Sequence, residues 1–272
     1  MITGEEVAIK VFKPVKKSKI RREIKILNLL KDGPNILTIK DVVRDAATKT
    51  PALITEYVNQ TDVDLKKKFN KFTIEDIQTY MYKTLQALDF AHSKGIMHRD
   101  IKPHNILFDP ESKTLRLADW GQAEFYRPEQ EYNTKVAALF YKAPELLLGY
   151  PYYDYSVDVW AAGCILAQLV FQKHPFFAGK GPLDQLLKVA KVLGTKKLGE
   201  FSDKFQIEVD AKTKDMLGKH SEKAWEPSKL FDGNAACFED AVDLLSKMLQ
   251  YDHSKRVTAR EALEHRFFST RE

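Results

Sequence analysis

Three short runs in a fixed order constrain this chain more than any other feature. They are His98-Arg99-Asp100-Ile101-Lys102-Pro103-His104-Asn105, then Asp119-Trp120-Gly121, then Ala143-Pro144-Glu145. A fold that uses them must bring Asp100, Lys102, Asn105 and Asp119 to one place, and each residue type has a separate use there. Asp100 is a carboxylate that can take a hydroxyl proton, and Lys102 is a cation that can sit beside a phosphate in transfer. Asn105 and Asp119 are hard oxygen donors of the kind magnesium takes together with phosphate oxygens and water. Alone, Asp-Trp-Gly or Ala-Pro-Glu is an ordinary turn. Together and at this spacing they supply the parts for phosphoryl transfer to an alcohol, with Lys102 favouring serine or threonine over tyrosine as acceptor. His98 reads as a packing and hydrogen-bonding residue of this loop, and Asp100 as the base.

At 272 residues and 44% hydrophobic content, the chain can bury a substantial core as one large or two modest domains. Its two cysteines, Cys164 and Cys237, are too few for a disulfide framework and suit a reducing compartment. No secretory signal opens the sequence, and the longest apolar stretch, Val159 to Ala167, is too short to span a bilayer. A cytosolic protein with no membrane contact is expected. The net charge of +5 is mild, but the cations bunch early in the chain.

Val7 to Phe12 has the β-branched content of a strand, with Lys10 on one face and Ile9 and Val11 on the other. A helix from about Ser18 to Leu30 follows, with Ile20, Ile24, Leu27 and Lys31 at helical spacing and Glu23 on the edge of that stripe. A carboxylate facing a core needs a partner, and Lys10 is the natural one; the other reading of Glu23 is a surface residue of a charged helix. Paired, Glu23 would set Lys10 onto the α- and β-phosphates of a nucleotide. Two further strands are expected at 36–43 and 52–58, joined by a turn at Lys49-Thr50. Glu56-Tyr57-Val58 would form a hinge whose backbone bonds an adenine edge. Thr73 reads as a helix cap with Phe72 as a staple, and that helix runs to Ser93 and stops at Gly95. A hairpin at 107–117 and an activation segment from Asp119 to Glu145 come next. Further helices are expected near 156–171, 183–193, 238–249 and 258–264. Asp158 opens an apolar helix, and Arg256 is placed to pair with Glu145.

In combination these runs resemble those of protein kinases, and nearly the whole chain resembles the catalytic alpha subunit of casein kinase II. The specific matches are Lys13-Pro14-Val15-Lys16-Lys17, Arg22-Glu23-Ile24-Lys25-Ile26-Leu27, Asp119-Trp120-Gly121, Gln130-Glu131-Tyr132-Asn133 and Val192-Leu193-Gly194-Thr195. The resemblance implies an α+β, bilobal kinase-like fold. Residues 1–58 would make a truncated β-rich N-lobe of three strands, one helix and the hinge. Residues 59–272 would make a mainly helical C-lobe carrying the catalytic loop and activation segment, with the nucleotide between the two. It implies phosphoryl transfer from ATP with Mg2+, GTP as an alternative donor, serine or threonine acceptors in acidic surroundings, activity without activation-loop phosphorylation, and residence in cytoplasm and nucleus.

The chain departs from that family in three places. It begins at the lysine-bearing strand, with no counterpart of the Gly-rich loop that covers the phosphates. Val7 to Phe12 is therefore expected at an unpaired sheet edge. A second function class follows, a catalytically weak kinase-like module that binds acidic partners. The family's regulatory beta subunit docks on the upper face of the small lobe, and the shortened lobe weighs against that partner here. Leu139 stands where the family has arginine, which should weaken acidic recognition at that point. Thr55 stands before the hinge where the family has phenylalanine; it either opens a back pocket or packs as an ordinary strand residue. Trp120, in place of the usual phenylalanine, either locks the loop or is a core aromatic without regulatory effect.

Acidic substrates are favoured independently by charge. Lys13, Lys16, Lys17, Lys19, Arg21 and Arg22 crowd a helix N-terminus, where the dipole disfavours cations, so an anionic visitor would relieve them. The other reading is a solvated basic face. Lys135 and Lys142 would extend the positive surface to the residue after the acceptor. Heparin-like polyanions rank as secondary ligands, and no base-stacking aromatic interleaves the run, so no specific nucleic acid is expected.

Overall fold

The computed structural model describes residues 4–14, 16–59, 65–226 and 228–269. The small lobe contains β1 (Val7–Val11), α1 (Lys17–Leu30), β2 (Ile39–Arg44) and β3 (Pro51–Glu56). The three strands form an antiparallel sheet in the order β1-β3-β2, which places Lys10 opposite Leu53. β1 is an edge strand, as the sequence implied, but it is paired along its length with β3. Ile36 does not join β2. It forms a parallel bridge with Leu117 instead, and the Leu37 N–H donates to the Leu117 carbonyl at 3.0 Å, tying the small lobe to the large one.

Helix α1 buries Glu23, Ile26, Leu27 and Leu30, which fall at i, i+3, i+4 and i+7. The expected stripe through Ile24 and Lys31 is corrected: Ile24 is half-buried and Lys31 is exposed. Lys31 is the C-cap, where the helix has already ended and the ammonium reaches water. Glu23 therefore lies squarely on the buried face and requires a charged partner.

The large lobe comprises α2 (Leu65–Phe69), α3 (Ile74–Ser93), β4 (Ile96–Met97), β5 (Ile106–Asp109), β6 (Thr114–Leu117), β7 (Glu124–Phe125), α4 (Pro144–Leu147), α5 (Ser156–Val170), α6 (Pro182–Leu193), α7 (Lys196–Lys204), α8 (Ala211–Leu217), α9 (Ala235–Met248) and α10 (Ala259–Leu263). Helix α3 starts with a capping box between Thr73 and Asp76, and it is left behind at Gly95, which takes φ +73°. Phe72 packs edge-on to Tyr80 and Phe108 at 5.7 and 5.6 Å, so the residue that staples α3 also seats the β5–β6 hairpin. Helix α5 is buried from Val157 to Val170 and packs between α3 and α9. Among the described residues no helix is long and apolar enough to cross a membrane. The short elements α2, α4, α7, α8 and the β4–β7 pair were not foreseen, because elements of two to nine residues carry too few positions for a repeating apolar pattern.

Candidate active site

A left-handed residue and a buried carboxylate shape the catalytic loop. Arg99 takes φ +66°, and the Asp158 carboxylate at the start of α5 accepts from the His98 and Arg99 N–H groups at 2.8 and 2.7 Å. His92 completes that cluster, with Nε2 3.0 Å from Asp158 Oδ2. Burial pushes the Asp158 carboxyl up, but its bonds to His92 and to the loop outweigh burial and hold it below the usual carboxylate range. His98 is fully buried, and burial lowers its pKa, so the ring is neutral. Its Nε2 lies 3.1 Å from the Ala118 carbonyl and its Nδ1 accepts from the Asp100 N–H at 3.2 Å. The neutral ring therefore carries its proton on Nε2 and acts as a strut between two site segments.

Asp100 is held on both oxygens. Oδ2 accepts from Lys102 Nζ at 2.7 Å and from Asn105 Nδ2 at 3.1 Å, and Oδ1 accepts from the Ala138 N–H at 3.1 Å. The Asn105 amide also donates to the Asp100 carbonyl at 2.8 Å, which leaves its own side-chain oxygen for another partner. The Ala118 N–H donates to the Asn105 carbonyl at 2.8 Å, so Asn105 is tied to the residue before Asp119.

Asp119 adopts φ +58°, and Trp120 turns inward: its Nε1–H donates to the Leu117 carbonyl at 3.2 Å and its ring lies 4.6 Å from His98. Lys10 Nζ sits 2.7 Å from Glu23 Oε1 and 2.7 Å from Asp119 Oδ1, so one ammonium joins β1, α1 and the Asp119 turn. Burial pulls the Lys10 pKa down, but the bonds to Asp119 and Glu23 prevail and raise it. Burial pushes the Asp119 carboxyl up, but the bond and charge of Lys10, with the Gly121 N–H, together hold it below the usual range, so it stays ionised. A Cβ on Gly121 would lie 3.3 Å from both the Asp119 and Glu23 carboxylate oxygens, which explains glycine at that point.

No cluster of three or more His, Cys, Asp or Glu side chains is gathered for a metal among the described residues. Asn105 and Asp119 together offer two protein oxygens, a donor set that fits a magnesium ion keeping its waters and its phosphate ligands.

At the hinge, the Glu56 carboxylate accepts from the Thr38 N–H at 2.8 Å and from Arg116 Nε at 2.9 Å. Burial raises its pKa, and Arg116 with Thr38 lowers it below the usual value. Thr55 is buried, and its hydroxyl donates to the Glu56 carbonyl at 3.1 Å. Glu56, Tyr57 and Val58 also line a cavity of about 510 Å3 with Asp109 and Ser112 of the β5–β6 turn.

The expected substrate-binding cations divide. Lys13, Lys16, Lys17, Lys19 and Lys135 are exposed. Arg22 is bound by Glu124, which lies 3.7 Å from Arg99 as well, so this cation faces a carboxylate of its own chain. Lys142 is half-buried with Nζ 3.3 Å from the Thr134 carbonyl, and burial lowers its pKa. Leu139 is half-buried in the turn Leu139–Tyr141, beside the Ala138 that contacts Asp100.

Sequence reasoning missed the Ala138 N–H, which as a backbone group leaves no mark in residue identity. It also missed the clamp role of Asp158. A carboxylate opening a helix that is otherwise apolar was the available signal, since such a charge needs partners. Glu145 and Arg256 form a bidentate pair with both contacts at 2.6 Å and both side chains fully buried.

Two lobes, a left-handed aspartate bound by the lysine of β1 and a carboxylate fixed by a neighbouring lysine together describe a phosphotransferase of the kinase class. Residues 2–268 match the protein kinase domain family model, and the chain belongs to that family. It is a kinase fold of α+β, bilobal type, and the family uses ATP with a divalent metal.

Proposed function

We propose that this chain is a serine/threonine protein kinase of the casein kinase II alpha type, transferring the γ-phosphoryl group of ATP to hydroxyls in acidic surroundings. The observation that carries this is Lys102 Nζ at 2.7 Å from Asp100 Oδ2, which couples a cation to the candidate base. Asp100 receives the acceptor hydroxyl and takes its proton, while Lys102 is near enough to neutralise a γ-phosphate oxygen. Lys10 has two of its three donors on Glu23 and Asp119, and the third is available to the α- and β-phosphates. Magnesium bound through Asn105 and Asp119 would supply charge neutralisation between the phosphates. GTP is proposed as an alternative donor on the resemblance alone.

Four exposed lysines, Lys13, Lys16, Lys17 and Lys19, support an acidic substrate, with Lys135 on the acceptor side. Arg22 and Lys142 contribute less, being engaged by Glu124 and by the Thr134 carbonyl. Polyanions such as heparin would compete at the same lysines. A regulatory beta subunit is retained only as a candidate partner. Residence in the cytoplasm and nucleus is proposed on the resemblance, and two free cysteines suit a reducing compartment.

A peptide panel tests the proposal. Purified chain with ATP and magnesium should label a serine peptide flanked by Asp and Glu well above the same peptide flanked by Lys, and should leave the tyrosine version unlabelled. Tight binding of the acidic peptide without any labelling would instead assign a kinase-like binding module. Equal labelling of the basic peptide would remove the acidic preference.

A further inference from the structure

We propose that a cavity between α7 and α8 binds a single-chain aliphatic carboxylate, a free fatty acid in the simplest case. The cavity measures about 630 Å3, within the range of sites that enclose small molecules, and shares no lining residue with the phosphoryl-transfer site. Leu198, Ile207, Val209 and Leu217 give it an aliphatic lining. Lys196, Lys214 and Lys219 also line it, against one carboxylate, Asp203. Lys214 and Lys219 have no ion-pair partner among the described residues, and Lys196 makes only an exposed 3.9 Å contact with Glu200 on its own helix.

Gly199 lines this space. It lies inside α7, where glycine weakens a helix, yet its φ is not positive and a Cβ there would meet nothing within 4 Å. Neither backbone conformation nor close packing requires glycine at this lining position, so a larger side chain can be introduced there. The neighbouring wall is fixed independently of any occupant. The Thr195 N–H donates to the His220 carbonyl at 2.9 Å, the His220 N–H donates to Thr195 Oγ1 at 3.0 Å, and Tyr251 Oη donates to the Gly194 carbonyl at 3.0 Å. An aliphatic lining with an excess of ammonium groups selects an alkyl chain carrying one anionic head. Alkyl cations fail on charge, and small anions leave the lining wet.

Titration calorimetry of the full chain with octanoate, decanoate and dodecanoate below micelle formation tests this. Affinity should rise about fourfold for each methylene that enters the cavity. Decyltrimethylammonium should not bind. Gly199→Phe fills the space at a position with open surroundings and should weaken dodecanoate at least about tenfold with its Tm maintained. Should that variant fail to fold, Lys214→Glu with Lys219→Glu, both exposed, should produce the same loss. Affinity independent of chain length, equal binding of the cation, or unchanged affinity in the folded variants would overturn the proposal. So would displacement of dodecanoate by an acidic leucine-containing peptide at lower concentration than by decanoate, which would give the cavity to a protein partner.

Discussion

Lys102 Nζ lies 2.7 Å from Asp100 Oδ2, two residues away, and this contact helps to orient the carboxylate proposed as the base. Because Asn105 Nδ2 and the Ala138 N–H occupy the other positions on Asp100, losing the lysine should leave the side chain in place while removing its cation. Lys102→Ala is expected to lower kcat about 10²- to 10³-fold, the usual loss for one preorganised charge donor, with the KM for nucleotide little changed. Steady-state kinetics with varied ATP checks this, and an effect confined to KM would move Lys102 from transition state to ground-state binding.

The buried Glu145–Arg256 pair holds the end of the activation segment to the lobe beneath it. Arg256 also donates to the carbonyls of Gln250, Tyr251 and Ser156, so its loss orphans both a carboxylate and backbone oxygens. Arg256→Met should cost about 3–5 kcal/mol in urea unfolding, and Arg256→Lys should recover only part, since an ammonium cannot form the bidentate fork. A loss under about 1 kcal/mol would show that the pair is structurally idle.

Stability should decline in mild acid through two histidines. Burial keeps His98 and His253 below the ordinary imidazole pKa, so the unfolded chain binds more protons than the folded one once the pH drops past about 6.5. The depressed carboxylates of Asp119 and Asp158 work in a lower window, their contribution being complete above about pH 4 and lost below it. His253 packs 4.3 Å from Phe205, and its Nδ1 has no hydrogen-bond partner among the described residues. His253→Phe should therefore flatten the fall in unfolding free energy by up to about 1.4 kcal/mol per pH unit below pH 6.5. An unchanged slope would assign the acid sensitivity elsewhere.

Charge reversal at Lys16, Lys17 and Lys19 should raise the KM for an acidic peptide and weaken its dependence on salt, with little change in kcat. Screening acts on exposed charges such as these. Arg22→Ala should behave differently: it frees Glu124, which lies beside Arg99, and the loss should appear in stability as well as in KM. A measurement of both variants across a salt series separates substrate cations from structural ones.

Much of the site was legible because its chemistry sits in side chains at short fixed spacings: Asp100 with Lys102 and Asn105, Asp119 before a glycine, Lys10 on a strand. The long helices were legible for the same reason, through the Thr73 cap and the apolar run of α5. Geometry that depends on backbone groups was not, as with the Ala138 N–H on Asp100. Nor was the face of α1, where Ile26 and Leu30 rather than Ile24 and Lys31 meet the core; a stripe read at 3.6-residue period can be rotated by one position without losing its period. Pairings across more than a hundred residues divided. Glu145 with Arg256 was foreseen, Glu145 standing in the Ala-Pro-Glu run, while Arg22 with Glu124 was not, since Arg22 read as a cation for the substrate and Glu124 stands in no recognisable run.

The most direct measurement is single-turnover phosphate transfer from labelled ATP to an acidic serine peptide by the chain and by its Asp100→Asn variant. Asparagine keeps the shape but cannot accept the hydroxyl proton, so transfer by the wild type should be seen and the variant should lose at least about 10²-fold in rate with nucleotide still bound. Equal rates for the two, or no transfer by the wild type with magnesium and nucleotide saturating, would contradict the account.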